Sequence, residues 1–264
     1  MLTCLLTIAY DGTRYAGWQR QLGEDTVQQR LEEALAVIFG GRVVVEGAGR
    51  TDAGVHALAQ TAHVVLPRPF EPRRLLPALN GNLPPDVAIR AVRPVPAGFH
   101  ARFCATGKRY LYRCITSRLR PALGRGHFHW VRRPLDLDAM RRAAGALVGR
   151  HDFAAFASNP GYVRKRGTVR TLQHVHLVQR RWGFDLVVQG DGFLYNMVRA
   201  IAGTLILVGA GRMPPERVGE ILAAGDRSQA GPTAPACGLY LARVLYRSGF
   251  GPATVCADHQ NAIV

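Results

Sequence analysis

The sequence predicts an α+β protein of two ferredoxin-like β-α-β-β-α-β halves, whose strands form a mixed, mainly antiparallel sheet with a central cleft. Three observations support this prediction. The 264 residues are 48% hydrophobic, which is enough for a sizeable core. Strand-like and helical apolar patterns alternate along the chain. The order of elements in the first half returns in the second half, although the sequence itself does not repeat.

The first half begins with a buried strand and a well-marked helix. Apolar residues at 4–10 indicate a strand that stops at the turn signal Asp11-Gly12. Thr26, followed three residues later by Gln29, is a capping-box pattern that starts a helix, and Gly40-Gly41 ends it. We then expect strands at 43–45 and 61–66, a short helix at 72–79 and a strand at 87–92.

The second half is expected to follow the same order. It contains a predicted strand at 109–115, a helix at 137–147, strands at 169–178 and 184–189, helices at 193–208 and 215–223, and a last strand at 239–245. We therefore divide the chain into an N-terminal half at 1–100, which carries a glycine-rich loop, a C-terminal half at 101–247, which completes the cleft, and a tail at 248–264.

The charge balance points to a polyanionic partner. There are 34 Lys and Arg residues against 18 Asp and Glu, a formal charge of +16, and Lys108 and Lys165 are the only lysines. A guanidinium group binds phosphate oxygens in pairs and stacks on bases, so arginine suits nucleic acid. A coding bias toward arginine is the other explanation for part of this excess.

The cysteines and the apolar segments exclude further classes of protein. The five cysteines are widely spread, odd in number and contain no C-x-x-C pair, which argues against a disulfide framework and a zinc knuckle. The first residues lack the features of a signal peptide, so a cytoplasmic protein is expected. The apolar stretch at 200–211 is too short to span a bilayer, and no membrane segment is expected.

One loop carries a carboxylate among glycines. Residues 47–57 contain Asp52, three glycines nearby, Arg50 and His56, and they match neither the Rossmann nor the P-loop pattern. From spacing alone, a tight turn with a local ion pair and a ligand-binding loop are both open. Arg50 could pair with Asp52, keep it ionised, or reach a phosphate.

Residues 49–57, Gly-Arg-Thr-Asp-Ala-Gly-Val-His-Ala, resemble the active-site motif of the tRNA pseudouridine synthase A family. The resemblance extends over nearly the whole chain. Further segments similar to the family signatures follow in the right order: 10–13 with 17–19, 99–103, 108–113, 149–153, 170–172, 192–199 and 238–241. The resemblance therefore implies the pseudouridine synthase fold.

The resemblance also implies roles for four residues. Asp52 is the catalytic aspartate, Arg50 its neighbour in the site, Tyr110 the aromatic residue that contacts the target base, and Arg199 an arginine at the cleft that pairs with Asp52 or a phosphate. These residue types suit the task, because a uridine inside a stem must be flipped out, and a flipped base needs a stacking surface. A guanidinium group can hold its phosphate.

The implied reaction is the isomerisation of uridine to pseudouridine in the anticodon stem-loop of tRNA, at positions 38, 39 and 40. Asp52 either attacks the sugar as a nucleophile or removes a sugar proton to give a glycal, and the sequence leaves both routes open. The resemblance further implies a homodimer, with no metal and no organic cofactor.

Two other classes of protein remain as alternatives. A catalytically silent RNA-binding protein would use a basic ferredoxin-like sheet, but the sequence lacks an RNP-like motif, and a carboxylate near phosphates would weaken binding. A nucleoside hydrolase would need a second placed carboxylate or a metal beside Asp52.

Other chemistry-bearing residues are assigned simpler roles. His127 with His129, and His174 with His176, are spaced to share a strand face, but no cysteine or carboxylate accompanies them at metal-ligand spacing. Asp11 is expected to form a turn, with a substrate contact as the alternative. The segment 164–166, Arg-Lys-Arg, departs from the family pattern and is either a solvated loop or an RNA contact.

Overall fold

The computed structural model describes residues 1–158 and 167–247, and these form a mixed α+β protein, as predicted. The basic segment 164–166 and the tail at 248–264 lie outside the described residues. In chain order the elements are β1 (Thr3–Tyr10), α1 (Val27–Phe39), β2 (Glu46–Gly47), β3 (His56–Val65), α2 (Pro72–Asn82), β4 (Val87–Val95), β5 (Ala105–Thr116), β6 (His129–Val131), α3 (Leu137–Gly145), β7 (Gly149–Asp152), β8 (Val169–Arg180), β9 (Gly183–Gly190), α4 (Met197–Gly209), α5 (Arg217–Ala224) and β10 (Leu239–Tyr246).

The described residues fall into two compact units. Unit 1 contains Met1–Thr106 together with residues 241–247, and unit 2 contains Gly107–Tyr240. The strands of unit 1 lie in the order β4-β1-β3-β10, and β2 pairs with β3. Strand β1 is antiparallel to both of its neighbours, with Cys4 opposite Val64 of β3 and Pro94 of β4. Unit 1 therefore has the predicted element order β-α-β-β-α-β.

Helix α1 forms where its caps and apolar spacing predict it. The Thr26 side chain accepts a hydrogen bond from the Gln29 amide at 3.4 Å, and Gly40 ends the helix with a φ of 76°. Val27, Leu31 and Leu35 recur at helical spacing and are buried. The apolar stripe of α1 thus contributes to the core of unit 1.

The strand predicted at 43–45 is wrong, because helix α1 takes the place of a partner strand there. The Gln28 side chain donates to the Val45 carbonyl at 2.9 Å, and the Val45 amide donates to the Glu32 carboxylate at 3.4 Å. Pairing with β3 begins one residue later, at Glu46. Strand β3 in turn begins at His56, five residues before the predicted start.

Unit 2 has the strand order β5-β9-β8-β7, with all these pairs antiparallel, and β6 pairs parallel with β5. The strands and helices predicted for the second half are present, except that the last strand, β10, belongs mostly to unit 1, and the short strands β6 and β7 are additions. Helix α4 begins at Met197 instead of residue 193, because Asn196 adopts a left-handed conformation with a φ of 61°. Tyr112 and Phe184 on the sheet, Met140 on α3 and Ile201 on α4 are fully buried core residues.

None of the helices in the described ranges is both long and apolar enough to cross a membrane. Helix α4 is the most apolar of them, and ten of its thirteen residues are buried. Its apolar character therefore reflects packing within unit 2.

Candidate active site

Asp52 lies at the tip of the connection between two antiparallel strands. The connection leaves β2 at Gly47 and enters β3 at His56. The Val55 amide donates to the Asp52 carbonyl at 3.1 Å, which closes a tight turn after the aspartate. Asp52 is half-buried and Arg50 is exposed. We refer to residues 48–55 as the Asp52 loop.

Residues 12–18 hold the Asp52 loop through backbone hydrogen bonds. The Trp18 amide donates to the Thr51 carbonyl at 3.0 Å, and the Gly54 amide donates to the Tyr15 carbonyl at 3.3 Å. These bonds join two segments that are more than thirty residues apart in the chain. The segments at 10–19 and 49–57, which are separate in the sequence, are therefore in direct contact in the fold.

Two glycines in residues 12–18 make this close approach possible. A Cβ atom on Gly12 would lie 2.0 Å from the Val55 carbonyl oxygen, and one on Gly17 would lie 2.5 Å from the Thr51 carbonyl oxygen. Gly17 also has a φ of 103°, which side-chain-bearing residues rarely adopt. Both positions therefore require glycine for the Asp52 loop to sit where it does.

Asp11 and His56 make a second connection next to the loop. Asp11 accepts hydrogen bonds from the Thr13 amide at 3.0 Å and the Thr13 hydroxyl at 2.6 Å, which confirms the predicted turn. The Nδ1 atom of His56 is 3.1 Å from both the Gly12 amide and the Asp11 carboxylate. Because an amide can only donate, Nδ1 accepts from Gly12, and the Asp11 contact becomes an ion pair only when that nitrogen gains a proton.

The other two predicted site residues belong to unit 2. Tyr110 lies on β5, is buried, and meets the Phe193 ring edge-to-face with ring centroids 4.9 Å apart. Arg199 lies in the first turn of α4, where its Nε donates to the Ala234 carbonyl at 2.7 Å and a terminal nitrogen donates to the Asn196 side chain at 2.9 Å. These bonds fix the direction of the guanidinium group.

Sequence reasoning missed Asn196 as a residue that supports the site. Its side-chain nitrogen donates to the Ser158 hydroxyl at 3.1 Å while its oxygen accepts from Arg199. The only available signal was the residue type, since asparagine tolerates the left-handed conformation better than most residues. Asn196 thus both sets the start of α4 and holds Arg199.

Within unit 1, three side chains of metal-ligand type lie together. The ligand atoms of Glu46, His63 and His100 are all within 4.8 Å of one another. The His100 Nε2 is 2.9 Å from the Glu46 carboxylate, and the His63 Nε2 is 3.9 Å from it.

The hydrogen bonds of both histidines argue against a metal at this cluster. The His63 Nδ1 accepts from the Ala101 amide at 3.2 Å, and the His100 Nδ1 accepts from the Arg102 amide at 3.1 Å. The neutral rings therefore carry their hydrogen on Nε2. A metal on Nε2 would move that hydrogen to Nδ1, against an amide donor, whereas metal-bound histidines normally donate from that nitrogen. The cluster suits a carboxylate facing two N–H groups.

Comparison with known proteins adds the family. A family model described as tRNA pseudouridine synthase matches residues 6–104 and 143–247, ranges that include Arg50, Asp52 and Arg199. The tRNA pseudouridine synthase A of Syntrophotalea carbinolica is 48% identical over 242 residues, which cover 91% of this chain and 95% of the relative. That of Myxococcus xanthus is 46% identical over 247 residues, covering 92% of each. The tRNA pseudouridine synthase A 2 of Clostridium perfringens is 41% identical over 241 residues, covering 91% of this chain and 98% of the relative. The chain therefore belongs to the tRNA pseudouridine synthase family.

Proposed function

We propose that this protein isomerises uridine to pseudouridine in the anticodon stem-loop of tRNA, at positions 38, 39 and 40, with Asp52 as the catalytic carboxylate. The observation that carries the proposal is the placement of Asp52, a half-buried carboxylate on a tight turn that is held by backbone bonds to residues 12–18. Relatives named tRNA pseudouridine synthase A, 41% to 48% identical over nine-tenths of the chain, support the substrate class.

The reaction conserves all atoms of the nucleotide. The bond between N1 of uracil and C1′ of ribose breaks, the base rotates while bound, and a bond forms between C5 and C1′. The proton on C5 leaves to solvent and N1 gains one. Asp52 acts either as a nucleophile at C1′ or as the base that removes a ribose proton, since one ionised carboxylate beside the sugar serves both routes. No electrons are gained or lost, so the chemistry needs no redox cofactor, and the family resemblance implies that it needs neither a metal nor another organic cofactor.

The remaining site residues are proposed to hold the flipped nucleotide. A uridine in a stem must leave the base stack before C1′ can be reached. Tyr110 offers an aromatic ring for the base, and exposed Arg50 and anchored Arg199 offer guanidinium groups for phosphates. We further propose that the protein works in the cytoplasm, and that it forms a homodimer, as the family resemblance implies.

The proposal is tested by tritium release from uracil C5 in unmodified, labelled tRNA, with a chelator present. We expect release by the wild-type protein and a loss of at least about 10³-fold in Asp52→Ala, because both routes lose their reactive group. Asp138→Ala is the matched control, since this exposed carboxylate lies on α3 and pairs with Arg141. It should release tritium at the wild-type rate.

Binding of tRNA by the same variants distinguishes the alternatives. Asp52→Ala should still bind tRNA, which would show that the variant is folded. If the wild-type protein bound tRNA but released no tritium, the RNA-binding alternative would replace the enzyme. Equal release by wild type and Asp52→Ala would keep the reaction and assign its carboxylate elsewhere.

A further inference from the structure

We infer that Tyr10 and Gln60 are positioning residues for the reaction: together they form a buried hydrogen-bonded support beneath the Asp52 loop that fixes the direction of Asp52. The inference rests on the proposed catalytic role of Asp52. Neither residue lies in the loop itself, and neither is among the four site residues implied by the family resemblance.

The support ties the loop at two residues, through the side chain of one and the backbone carbonyl of the other. The Tyr10 hydroxyl is 2.8 Å from the Thr51 hydroxyl, and the Gln60 side-chain nitrogen donates to the Gly49 carbonyl at 2.8 Å. Gln60 also interacts with the Tyr10 hydroxyl, so the two ties are connected. The tied residues, Gly49 and Thr51, flank Arg50, and Thr51 immediately precedes Asp52.

Burial makes these hydrogen bonds matter more than they would at the surface. Tyr10, Thr51 and Gln60 are 5%, 6% and 0% exposed. A buried polar group that loses its partner pays its full desolvation cost, because water cannot replace the bond. The Gln60 side-chain oxygen is also used, since it accepts from the Thr61 amide at 3.1 Å. The group therefore favours one arrangement of the loop.

The two supporting residues lie on paired strands of unit 1. Tyr10 is the last residue of β1, and Gln60 lies in β3, which is paired with β1 on one side. The position of the loop is thus tied to a paired sheet. A catalytic group that moves by about 1 Å can lose about 10²-fold in rate. Fixing Asp52 in this way is therefore worth a measurable factor.

Tyr10 acts through its hydrogen bond and not as an acid or base. Burial raises the pKa of the Tyr10 hydroxyl well above its usual value, more than its hydrogen bonds lower it. The hydroxyl therefore stays protonated at neutral pH. A variant that removes only the hydroxyl should lower the rate without changing how the rate depends on pH.

Tyr10→Phe tests the inference, with Tyr246→Phe as the matched control. Tyr246 is another tyrosine of unit 1, and its hydroxyl bonds the Ala101 carbonyl at 2.8 Å and the Thr61 hydroxyl at 2.6 Å, neither of which belongs to the Asp52 loop. We expect both variants to lower the melting temperature. Only Tyr10→Phe should lower kcat for tritium release, by about 10- to 100-fold, with KM for tRNA changed less than about twofold.

A double mutant separates positioning from general destabilisation. Thr51→Val removes the other hydroxyl of the pair, so the fall in kcat that Tyr10→Phe causes should be smaller in this background than in the wild-type protein. The inference would be wrong if Tyr10→Phe lowered kcat no more than Tyr246→Phe does. It would also be wrong if the fold losses in kcat of Tyr10→Phe and Thr51→Val simply multiplied in the double mutant. An active Asp52→Ala protein would instead overturn the proposed catalytic role of Asp52, on which this inference rests, whatever the Tyr10 variants do.

Discussion

At the scale of single residues, Gly17 decides whether the Asp52 loop can lie where it does. Its φ of 103° disfavours any side chain, and a Cβ atom would lie 2.5 Å from the Thr51 carbonyl oxygen. Gly23 is the matched control, since it also has a positive φ of 78° but nothing lies within 4 Å of its Cβ position. The two glycines share the backbone constraint and differ in the crowding.

We predict that Gly17→Ala lowers the free energy of unfolding by about 1 to 3 kcal/mol more than Gly23→Ala, because the added methyl group must displace backbone. Urea unfolding measures the difference. We also expect Gly17→Ala to reduce the rate of tritium release, since the displaced backbone precedes Asp52. Equal stability losses in the two variants would show that the Asp52 loop yields to the methyl group at no cost.

Residue types in a motif could be read from the sequence, but the support around them could not. Asp52 and Arg50 were singled out by a resemblance carried in nine consecutive residues. Gln60 was not singled out, because nothing in the sequence around it indicates that its side chain donates a hydrogen bond to the Gly49 carbonyl. Such contacts depend on the pairing of β1 with β3, which a single sequence does not specify.

At the scale of elements, local signals predicted well and non-local pairing predicted poorly. Helix α1 was predicted correctly because its N-cap at Thr26 and its end at Gly40 are encoded within the helix and its neighbours. The strand at 43–45 was wrong because three consecutive valines are typical of a strand, while Gln28 and Glu32 of α1 bind its backbone. Strands β6 and β7 are three and four residues long, too short to show a period.

Strand β6 carries a histidine that should make stability depend on pH. His129 is half-buried, and burial lowers its pKa from the usual 6.5. The unfolded chain therefore takes up a proton near pH 6.5 that the folded chain takes up only at lower pH. The contribution of His129 to stability is fully present above pH 6.5, and it is lost as the pH falls through the lowered pKa of the folded protein.

We predict that the free energy of unfolding falls between about pH 7.5 and pH 5.5, and that it falls less in His129→Phe, which removes this titration. Phenylalanine can keep the edge-to-face contact with Tyr112, whose ring centroid is 6.0 Å away. Urea unfolding at both pH values measures the two slopes. A variant with the same slope as wild type would assign the pH dependence to other groups, such as His176, whose pKa burial also lowers.

At the scale of the whole molecule, the fold class was predictable because it depends on the order of elements. The element order β-α-β-β-α-β, repeated in the second half, was enough to predict an α+β protein with antiparallel pairing. The order β4-β1-β3-β10 in unit 1 was not predictable in the same way. Strand β10 comes from the end of the chain, and no local pattern states that it joins strands from the beginning.

The formal charge of +16 is also a property of the whole molecule, and it predicts how tRNA binding responds to salt. Each arginine that neutralises a phosphate releases condensed counterions, so affinity should fall by about 10³-fold or more between about 50 and 200 mM salt if six or more phosphates are contacted. Filter binding with Asp52→Ala measures this fall in affinity without turnover.

Arg50→Gln should reduce the slope of log K against log salt by about one, because its exposed guanidinium is proposed to contact a phosphate. Arg74→Gln is the control, since this exposed arginine on α2 already pairs with Glu71 at 3.2 Å. A flat salt response would rule out phosphate contacts as the main source of affinity, and equal slopes for the two arginine variants would remove Arg50 from the set that contacts tRNA.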